Sequence, residues 1–423
     1  MKKYLKILLV LFLVLLIGLV IVTFQNITNS KYVKIVRVGD MNNARANHGA
    51  ILLNDGRILV FDGFKFIDER NDTIEVFDLK KAKFSLINKD INIIHEKPLL
   101  LKNGKVVFFQ SNKTTIFEPA TNKFLTTKGL IIPRNFFSAT LLQNNKILIV
   151  GGWKSEERGF EYSAEIYNPD TDKFVLLQNK IKMPVKFQPP LPEYKTILLK
   201  DGRVLLFSER HNEIFPIQIF NPNNMQFSTI KDMNILRHHF NTVLLKNGNV
   251  LFIGGYDKTG KIVRKTELYN PKNNSFSIAT SMNYARQDFN SLLLNNGKVL
   301  ITGGYDSNNK PVLYSEIYDP NSNIFNLFAM LNLSRKNPKT IQLNNEKVLV
   351  YGGYKGDHIV PGIEICDGKK CILEKQKIFE RYFYNLIKLN DNACLFTGGG
   401  EMSDVQDSYI HTFKDSYLIN FKK

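Results

Sequence analysis

A repeated glycine pair constrains this chain more than any other feature of its sequence. Three such pairs begin at Gly254, Gly303 and Gly352, at a constant spacing of 49 residues. Within the repeat around Gly303, apolar runs flank Asn296-Gly297 and predict a β-hairpin, because a type I′ turn requires positive φ at both central positions. A third run, Tyr314–Tyr318, and a fourth beginning near Phe325 complete the unit. The repeat therefore predicts a succession of four-stranded antiparallel sheets.

A proline ends the third strand of most repeats, since proline cannot donate a hydrogen bond to a β-ladder. These prolines are Pro119, Pro169, Pro222, Pro271 and Pro320, and each is followed five residues later by Phe124, Phe174, Phe227, Phe276 or Phe325. Hairpin turns recur from Asp55-Gly56 to Asp391-Asn392, eight in all, and helix-type periodicity is nearly absent after residue 30. We therefore predict an all-β fold of eight four-stranded blades, with seven blades as the alternative.

The motifs R-x-x-[H/F], L-L-x-N-G-x-V-L-x-x-G-G and E-I-Y-[N/D]-P, each with an aromatic residue to follow, recur in register along the chain. In these motifs the chain resembles the kelch-repeat β-propeller family in its bacterial form, with Phe where many kelch repeats carry Trp. The resemblance covers nearly everything after the N-terminal segment. It implies a single closed propeller of many blades.

Two further positions recur with the blades. Glutamates at Glu165, Glu267, Glu316 and Glu364 are expected to be structural, one in each blade. Aromatic residues follow the glycine pairs at Trp153, Tyr256, Tyr305 and Tyr354. We expect these aromatic side chains to pack between blades, and stacking on a ligand is the alternative.

The N-terminus carries a membrane-targeting pattern. Lys2, Lys3 and Lys6 precede residues 7–24, which contain no charge and are long enough to span a bilayer as a helix. No small-residue cleavage site follows this segment. We predict a cytoplasmic tail (residues 1–6), a retained transmembrane signal anchor (7–24) and a tether (25–32), with the remainder outside the cytoplasm. Secretion after cleavage is the alternative.

The predicted propeller, residues 33–423, begins with an unpaired strand. Val33–Val38 has the position of a fourth strand whose first three are missing, and an open sheet edge favours aggregation. We expect this strand to close the last blade as its outermost strand. The third strand of that blade is either Tyr409–Phe413 or Tyr417–Phe421.

Six arginines stand at one repeat position and are the candidate ligand-binding residues. They are Arg45, Arg134, Arg237, Arg286, Arg335 and Arg381. Repeats two and four carry Ile93 and Leu191 there. In one interpretation the guanidinium groups bind an anionic ligand such as an acidic sugar. In the other they bond backbone carbonyls between blades.

The three cysteines suit an extracytoplasmic domain. Cys366 and Cys371 flank a turn, at the places of Tyr318 and Asn323 in the preceding repeat, and opposed positions in a hairpin reach disulfide distance. We predict this bond, with two reduced thiols as the alternative. Cys394 stands at an apolar strand position and is expected to be buried.

Charge and histidine spacing exclude several classes of site. The seven histidines show no metal-ligand spacing, and adjacent His238 and His239 on an extended segment would point to opposite faces. We predict neither a metal site nor a cofactor. The net charge of +18 is spread along the chain without aromatic-basic interleaving, so no nucleic-acid partner is expected.

The leading functional hypothesis is a membrane-anchored, extracytoplasmic, monomeric interaction module that binds a protein or an acidic glycan through its blade loops. The alternative is a carbohydrate-active enzyme on the same fold, such as a sialic-acid-type sugar mutarotase, with Glu380 or Asp288 supplying a carboxylate. Copper-radical oxidases of this fold use a Tyr cross-linked to Cys together with His ligands. The cysteines here lie in late repeats, so that resemblance fails.

Overall fold

The computed structural model describes residues 26–66, 69–88, 98–154, 159–182, 194–208, 216–344, 347–402 and 410–422. The sole helix among them is a short 3-10 helix, Lys377–Glu380. The strands form seven four-stranded sheets, one five-stranded sheet and five two-stranded ribbons. The eight larger sheets are the blades, numbered 1 to 8 along the chain. The all-β prediction is confirmed, with eight blades rather than seven.

The first strands are β1 (Asn26–Asn29) and β2 (Val33–Asp40). Blade 1 and its ribbon contain β3 (Gly49–Leu52), β4 (Ile58–Phe61), β5 (Phe64–Phe66), β6 (Glu69–Arg70), β7 (Ile74–Asp78) and β8 (Lys83–Asn88). Blade 2 contains β9 (Leu99–Leu100), β10 (Val106–Phe109), β11 (Lys113–Glu118) and β12 (Lys123–Lys128). Blade 3 and its ribbon contain β13 (Ser138–Leu141), β14 (Ile147–Val150), β15 (Trp153–Lys154), β16 (Gly159–Phe160), β17 (Ala164–Asn168) and β18 (Lys173–Leu176). Blade 4 contains β19 (Tyr194–Leu198), β20 (Val204–Ser208), β21 (Gln218–Asn221) and β22 (Gln226–Thr229).

Blade 5 and its ribbon contain β23 (Arg237–His238), β24 (Asn241–Leu244), β25 (Val250–Ile253), β26 (Tyr256–Asp257), β27 (Lys265–Asn270) and β28 (Ser275–Ser281). Blade 6 contains β29 (Asn290–Leu293), β30 (Val299–Thr302), β31 (Tyr314–Asp319) and β32 (Ile324–Met330). Blade 7 and its ribbon contain β33 (Lys339–Gln342), β34 (Val348–Tyr351), β35 (Tyr354–Lys355), β36 (His358–Ile359), β37 (Ile363–Cys366) and β38 (Cys371–Glu374). Blade 8 and its ribbon contain β39 (Asn385–Asn390), β40 (Ala393–Thr397), β41 (Gly400–Met402), β42 (Ile410–Thr412) and β43 (Asp415–Phe421).

The second strand of each blade is the most apolar, because it is covered on both faces. In β30 the side chains from Val299 to Thr302 are all buried, and β14 and β25 show the same pattern. Strands covered on both faces have continuous apolar runs, whereas half-exposed strands alternate. The runs identified in the sequence are therefore these second strands.

An aromatic pair joins the third and fourth strands of blades 1 to 6. In blade 6, Tyr318 faces Phe325 in register, with ring centroids 4.9 Å apart. The other pairs are Phe77–Phe84, Phe117–Phe124, Tyr167–Phe174, Phe220–Phe227 and Tyr269–Phe276. Directly opposed aromatic side chains stabilise a strand pair by roughly 0.2–1 kcal/mol. The phenylalanine that follows each proline is thus the cross-strand partner of the third-strand aromatic.

The chain divides into two compact units, residues 1–93 with 381–423 and residues 94–380. The second unit contains blades 2 to 7. Within it the first strands of successive blades lie side by side, as in β24, β29 and β33. Apolar clusters fill the space between neighbouring blades; one joins Leu251 and Ile253 of blade 5 to Ile301 and Tyr318 of blade 6. This is the packing of propeller blades.

The first unit contains blades 1 and 8. Blade 8 has the strand order β1-β2-β43-β40-β39, so its fourth strand, β2, comes from the start of the chain. Val33 pairs with Phe421, and Asp40 with Asp415. The strand β1 pairs with β2 on its outer side, so β2 is not the outermost strand, and the segment predicted as a tether (25–32) contains a strand.

The choice between two candidate third strands in blade 8 is settled in favour of Asp415–Phe421, which pairs with both β40 and β2. The predicted cytoplasmic tail and signal anchor, residues 1–6 and 7–24, lie outside the described residues. Within the described part of the chain, no helix is long and apolar enough to cross a membrane.

Candidate functional site

A buried ion pair organises the polar centre of blade 6. Arg286 Nη2 donates to Glu316 Oε1 at 2.7 Å, and both side chains are completely buried. The same guanidinium donates to the carbonyl oxygens of Gly303 at 2.9 Å and Tyr314 at 2.8 Å. These three hydrogen bonds stay within one repeat, so Arg286 holds the segment before β29 to the third strand of the same blade.

The other candidate arginines occupy equivalent sites. The fully buried pairs are Arg45–Glu75, Arg134–Glu165, Arg237–Glu267, Arg286–Glu316 and Arg335–Glu364, and Arg381 pairs with Asp415. Each guanidinium also donates to the carbonyl of the residue seventeen positions later. These carbonyls belong to the same repeat as the arginine, so the interpretation that they lie between blades is corrected. Ligand binding by these arginines stays a prediction.

The glutamate of each pair accepts hydrogen bonds from further groups besides the arginine. Glu316 Oε2 accepts the backbone N–H of Asn283 at 2.5 Å and its side-chain amide at 2.8 Å, and Oε1 accepts the N–H of Tyr284 at 3.1 Å. Glu267 receives the same set from Asn234 and Ile235. A buried carboxylate requires several such donors to offset its lost hydration. The pair therefore fixes the chain that connects one blade to the next.

Burial and the neighbouring glutamate shift the pKa of the guanidinium in opposite directions. It lowers the pKa of Arg45, Arg134, Arg237 and Arg286, while the neighbouring glutamate carboxylate favours the charged form. Removing the carboxylate would leave a buried charge without compensation, which is strongly destabilising. We expect arginine and glutamate to be present together or absent together.

Blades 2 and 4 fit that expectation. Their sequences lack the arginine, at Ile93 and Leu191, and these two residues lie outside the described part of the chain. The glutamate position is taken by Thr115 in blade 2 and Gln218 in blade 4, as the strand registers show. Gln218 exchanges two hydrogen bonds with the backbone of Lys182, at 2.9 Å and 3.1 Å. A neutral amide thus replaces the carboxylate where no arginine is available.

Blade 8 departs from the other five sites. Tyr417 faces Phe396 at the register position of the glutamate, and Arg381 instead binds Asp415 through two contacts of 2.5 Å and 2.9 Å. The guanidinium carbon lies 3.7 Å from the centre of the Phe413 ring. Burial alone would raise the pKa of Asp415, but hydrogen bonds from Arg381 and Tyr417 outweigh it and hold that pKa below its ordinary value.

The residue two positions after each arginine forms a loop tip with left-handed backbone. We call these residues the loop tips: Asn47, Phe136, His239, Asp288, Asn337 and Phe383, with φ between 51° and 55°. Asn, Asp and His adopt this conformation more readily than other non-glycine residues, whereas Phe rarely does. Phe136 is nevertheless 61% exposed and Phe383 39% exposed. An exposed aromatic side chain on strained backbone is typical of a functional position.

The left-handed conformation of the tips follows from a close approach between the backbone before each tip and the glycine pair of the same blade. The residue before each tip forms an antiparallel bridge with the residue after the glycine pair, as Lys336 does with Tyr354. A Cβ added at Gly353, whose φ is +83°, would lie 2.7 Å from the carbonyl oxygen of Lys336. Glycine is therefore required there, and the chain must turn sharply at Asn337 to enter β33.

The tips of blades 5 to 7 carry a polar and aromatic cluster. The His238 ring stacks on Tyr256 at 5.5 Å, and the His239 ring lies 5.2 Å from His238. The prediction that the two imidazoles point to opposite faces is wrong, because the left-handed backbone at His239 turns its ring back. Lys336 Nζ lies 3.2 Å from Asp288 Oδ2, and the Asn337 N–H donates to the Asp288 carbonyl at 2.6 Å.

The hydroxyl group of Tyr256 is close enough to Asp288 and Lys336 for both charges to affect its pKa. Burial raises the pKa of Tyr256, the Asp288 carboxylate raises it further, and the Lys336 ammonium opposes that change. The tips of blades 1 and 8, in the first unit, make the same backbone contact as Asn337 and Asp288. The Asn47 N–H donates to the Phe383 carbonyl at 2.9 Å.

The cysteines lie away from the loop tips. Cys366 and Cys371 face each other across β37 and β38 and form a disulfide with an S–S distance of 2.00 Å. Their positions correspond to Tyr318 and Phe325 of blade 6, so the correspondence of Cys371 with Asn323 is corrected. The buried Cys394 lies in β40, and burial raises the pKa of its thiol to about 12.

Sequence reasoning selected the arginines because they repeat, and it missed the loop tips because they do not. The signal was nevertheless present two residues after each arginine, where the residue type changes from blade to blade while the flanking pattern stays constant. In a repeat protein the constant positions maintain the fold, and the variable exposed positions are available for binding.

Comparison with known proteins supports the blade assignment. A kelch motif model matches residues 135–180, which run from the loop of blade 3 to just past its fourth strand. Among 865 matching chains of solved structures is a fungal alcohol oxidase of the AA5 family in complex with copper. It has a TM-score of 0.56 and 13% identity, over 93% of this chain and 77% of that chain. At that identity the likeness shows the fold alone. No curated protein matches the chain.

The residues that the structure describes do not fit a copper centre like that of an oxidase. Across the described ranges, no three His, Cys, Asp or Glu side chains are grouped so that they could hold a metal ion. Two cysteines are joined to each other and the third lies in a strand core, so a Tyr–Cys cross-link has no available thiol. No step below involves copper.

Proposed function

Taking as our premise that the chain is a kelch-repeat β-propeller, we propose that it is an interaction module that binds a partner through its loop tips. The observation that carries the proposal is the pair of exposed, left-handed residues Phe136 and His239 in the second unit. Asn occupies the same position at Asn337 without strain. Retaining Phe at this position where Asn would fold more easily is expected when the side chain contacts a partner.

The arginine pairs supply the rigidity that such a surface requires. Each pair fixes the segment that leads into a tip, so the tips present their side chains with little conformational entropy to lose on binding. Aromatic side chains on rigid supports are frequent binding hot spots. In this proposal the arginines position the tips, and the tips make the contact.

The proposal places the module outside the cytoplasm and anchored to the membrane. Two features support this location. Residues 7–24 form an uncharged apolar run after three lysines. The Cys366–Cys371 disulfide is of the kind that persists in oxidising compartments. The partner is a protein or an acidic glycan, and the net charge of +18 favours an acidic one.

The carbohydrate-active alternative requires an arginine and a carboxylate that face a substrate together. Asp288 is accessible, but its carboxylate pairs with Lys336, and Arg286 is fully buried beside Glu316. The accessible groups at the tips therefore favour binding over sugar isomerisation, which stays an untested prediction.

The test compares three forms of the full chain on arrays of envelope proteins and of glycans, including acidic ones. The forms are the wild type, a tip variant (Phe136→Asn with His239→Asn) and an edge variant (Leu125→Asn with Val175→Asn). The edge residues are 60% and 58% exposed on the outer strands β12 and β18, so they control for loss of apolar surface. We expect the tip variant alone to lose the wild-type ligands by about tenfold or more. Equal binding by wild type and tip variant would reject the proposal.

A further inference from the structure

We propose that the loop tips of blades 5 to 7 bind a neutral, hydroxyl-rich sugar unit. This inference rests on the function proposed above, and it names the kind of ligand group that one part of the tip surface holds. We call this part the polar arc. It consists of His238, His239, Tyr256, Asp288, Lys336 and Asn337, all within the second unit.

The three tips of the polar arc are held together by contacts between neighbouring blades. A Cβ added at Gly254 of blade 5 would lie 3.1 Å from the carbonyl oxygen of Arg286, two residues before the tip Asp288 of blade 6. The Asn337 N–H of blade 7 donates to the carbonyl of Asp288 at 2.6 Å. The arc is therefore continuous across three blades. Its backbone is positioned before a ligand arrives, which reduces the entropy lost on binding.

Every tip residue of the polar arc can form hydrogen bonds through its side chain. The tips are His239, Asp288 and Asn337, and the residues before them are His238, Gln287 and Lys336. The tip of blade 3 differs, because Phe136 there is 61% exposed. An exposed Phe suits an apolar contact with a protein. Closely spaced side-chain donors and acceptors instead suit a ligand whose hydroxyl groups each donate and accept.

The ion pair of the polar arc has no net charge and remains accessible. Lys336 Nζ lies 3.2 Å from Asp288 Oδ2, and the two side chains are 48% and 31% exposed. The ammonium group can donate to one hydroxyl group of a sugar, and the carboxylate can accept from the neighbouring hydroxyl group. Because the lysine is already paired, it attracts an acidic sugar less than an unpaired cation would. The pair therefore favours a neutral sugar unit.

Aromatic rings lie beside this ion pair. The Tyr256 ring stacks on the His238 ring with centroids 5.5 Å apart, and the exposed His239 ring lies 6.2 Å from Tyr256 and nearly perpendicular to it. The charges of Asp288 and Lys336 shift the pKa of Tyr256 in opposite directions, as expected for a hydroxyl group close to both. An aromatic ring packs against the C–H face of a pyranose ring, while the hydroxyl groups at its edge reach polar side chains. The arc thus offers both kinds of contact that hold a sugar.

The experiment measures, by biolayer interferometry, the binding of the full chain to immobilised polymers that carry glucose, galactose, mannose or N-acetylglucosamine. A glucuronic acid polymer is the acidic comparison. The arc variant combines Asp288→Gly with Lys336→Met, which removes both charges together, and glycine accepts the left-handed backbone. Its matched control is Lys105→Met with Glu118→Gln, an ion pair of 3.0 Å whose side chains are each 41% exposed. Both variants should fold like the wild type, since exposed ion pairs contribute little to stability.

At least one neutral sugar polymer should bind the wild type and the control, and its binding to the arc variant should be weaker by about tenfold or more. The bound sugar should also slow amide hydrogen exchange in residues 236–240, 285–290 and 334–338, which locates the site without any substitution. The inference is overturned if no neutral sugar binds, if the arc variant keeps full binding, or if glucuronic acid binds more tightly than every neutral sugar. The function proposed above survives those results when Phe136→Asn with His239→Asn still loses an array ligand that the arc variant retains.

Discussion

Arg286 and Glu316 form a hydrogen-bonded ion pair of 2.7 Å whose side chains have no exposed surface. Glu316 also accepts the backbone N–H groups of Asn283 and Tyr284, so a single carboxylate joins the third strand of blade 6 to the segment arriving from blade 5. The pair thus fixes a connection between blades, and the loop tip Asp288 begins two residues beyond it.

The first prediction concerns this pair. Arg286→Leu should lower the free energy of unfolding by roughly 3–5 kcal/mol, because it leaves Glu316 buried without its cation. Adding Glu316→Gln should recover a large part of the loss, since blade 4 combines Leu191 with Gln218 at the same two positions. Urea unfolding of the two single variants and the double variant forms a double-mutant cycle. Losses that simply add would contradict the coupling.

The second prediction concerns pH and Asp415. The folded state holds the pKa of this carboxyl below its ordinary value of 3.8, through Arg381 and Tyr417 and against the effect of burial. The carboxylate therefore stabilises the fold above pH 3.8, and this stabilisation is lost as pH falls through the lowered folded pKa.

Asp415→Asn should accordingly unfold more easily than the wild type at neutral pH, by about 1–3 kcal/mol. The difference should begin to shrink below pH 3.8, where the unfolded chain binds the proton, and should be lost below the lowered folded pKa, where the folded wild-type carboxyl is also neutral. Urea midpoints measured from pH 7 downward test this, with the exposed carboxylate variant Asp391→Asn as the control. A difference that stays constant with pH would show that Asp415 acts through packing alone.

The third prediction concerns the disulfide of blade 7. Cys366→Val with Cys371→Val keeps an apolar cross-strand pair and removes only the covalent bond. In the chain-entropy model the bond contributes about 2 kcal/mol for so short a loop, so the variant should lose that amount. Reductant should lower the wild-type unfolding free energy to a similar extent and leave the variant unchanged. A wild type insensitive to reductant, with no change in intact mass, would show that the bond does not form.

Much of the fold follows from the sequence, because its determinants are local. The Asn296-Gly297 turn, the proline that ends β31 and the apolar run of β30 each specify their own strand. Blade 8 was harder to derive, since its third strand follows a segment without repeat spacing. There the partner of Arg381 is Asp415, two positions before the place where the repeat carries glutamate.

The candidate site was less accessible to sequence reasoning, because it depends on backbone conformation. The local sequence does not show that His239 is left-handed, since only a small fraction of non-glycine residues adopt that conformation. The turn becomes evident only when His238 is seen bridging to the residue after Gly255. The repeated arginines were identified correctly as equivalent, yet a sequence does not reveal that five of them are fully buried.

The central claim is that the loop tips are kept for binding and the arginine pairs for folding. The most direct test is the free energy of unfolding of Phe136→Asn and His239→Asn, each compared with Leu125→Asn. Asn relieves left-handed strain of about 1–2 kcal/mol at Phe136, so Phe136→Asn should be more stable than the wild type. His239→Asn should be at least as stable as the wild type, and Leu125→Asn should not gain stability. Tip variants that are less stable than the wild type would show that Phe136 and His239 serve the fold, and would contradict the account.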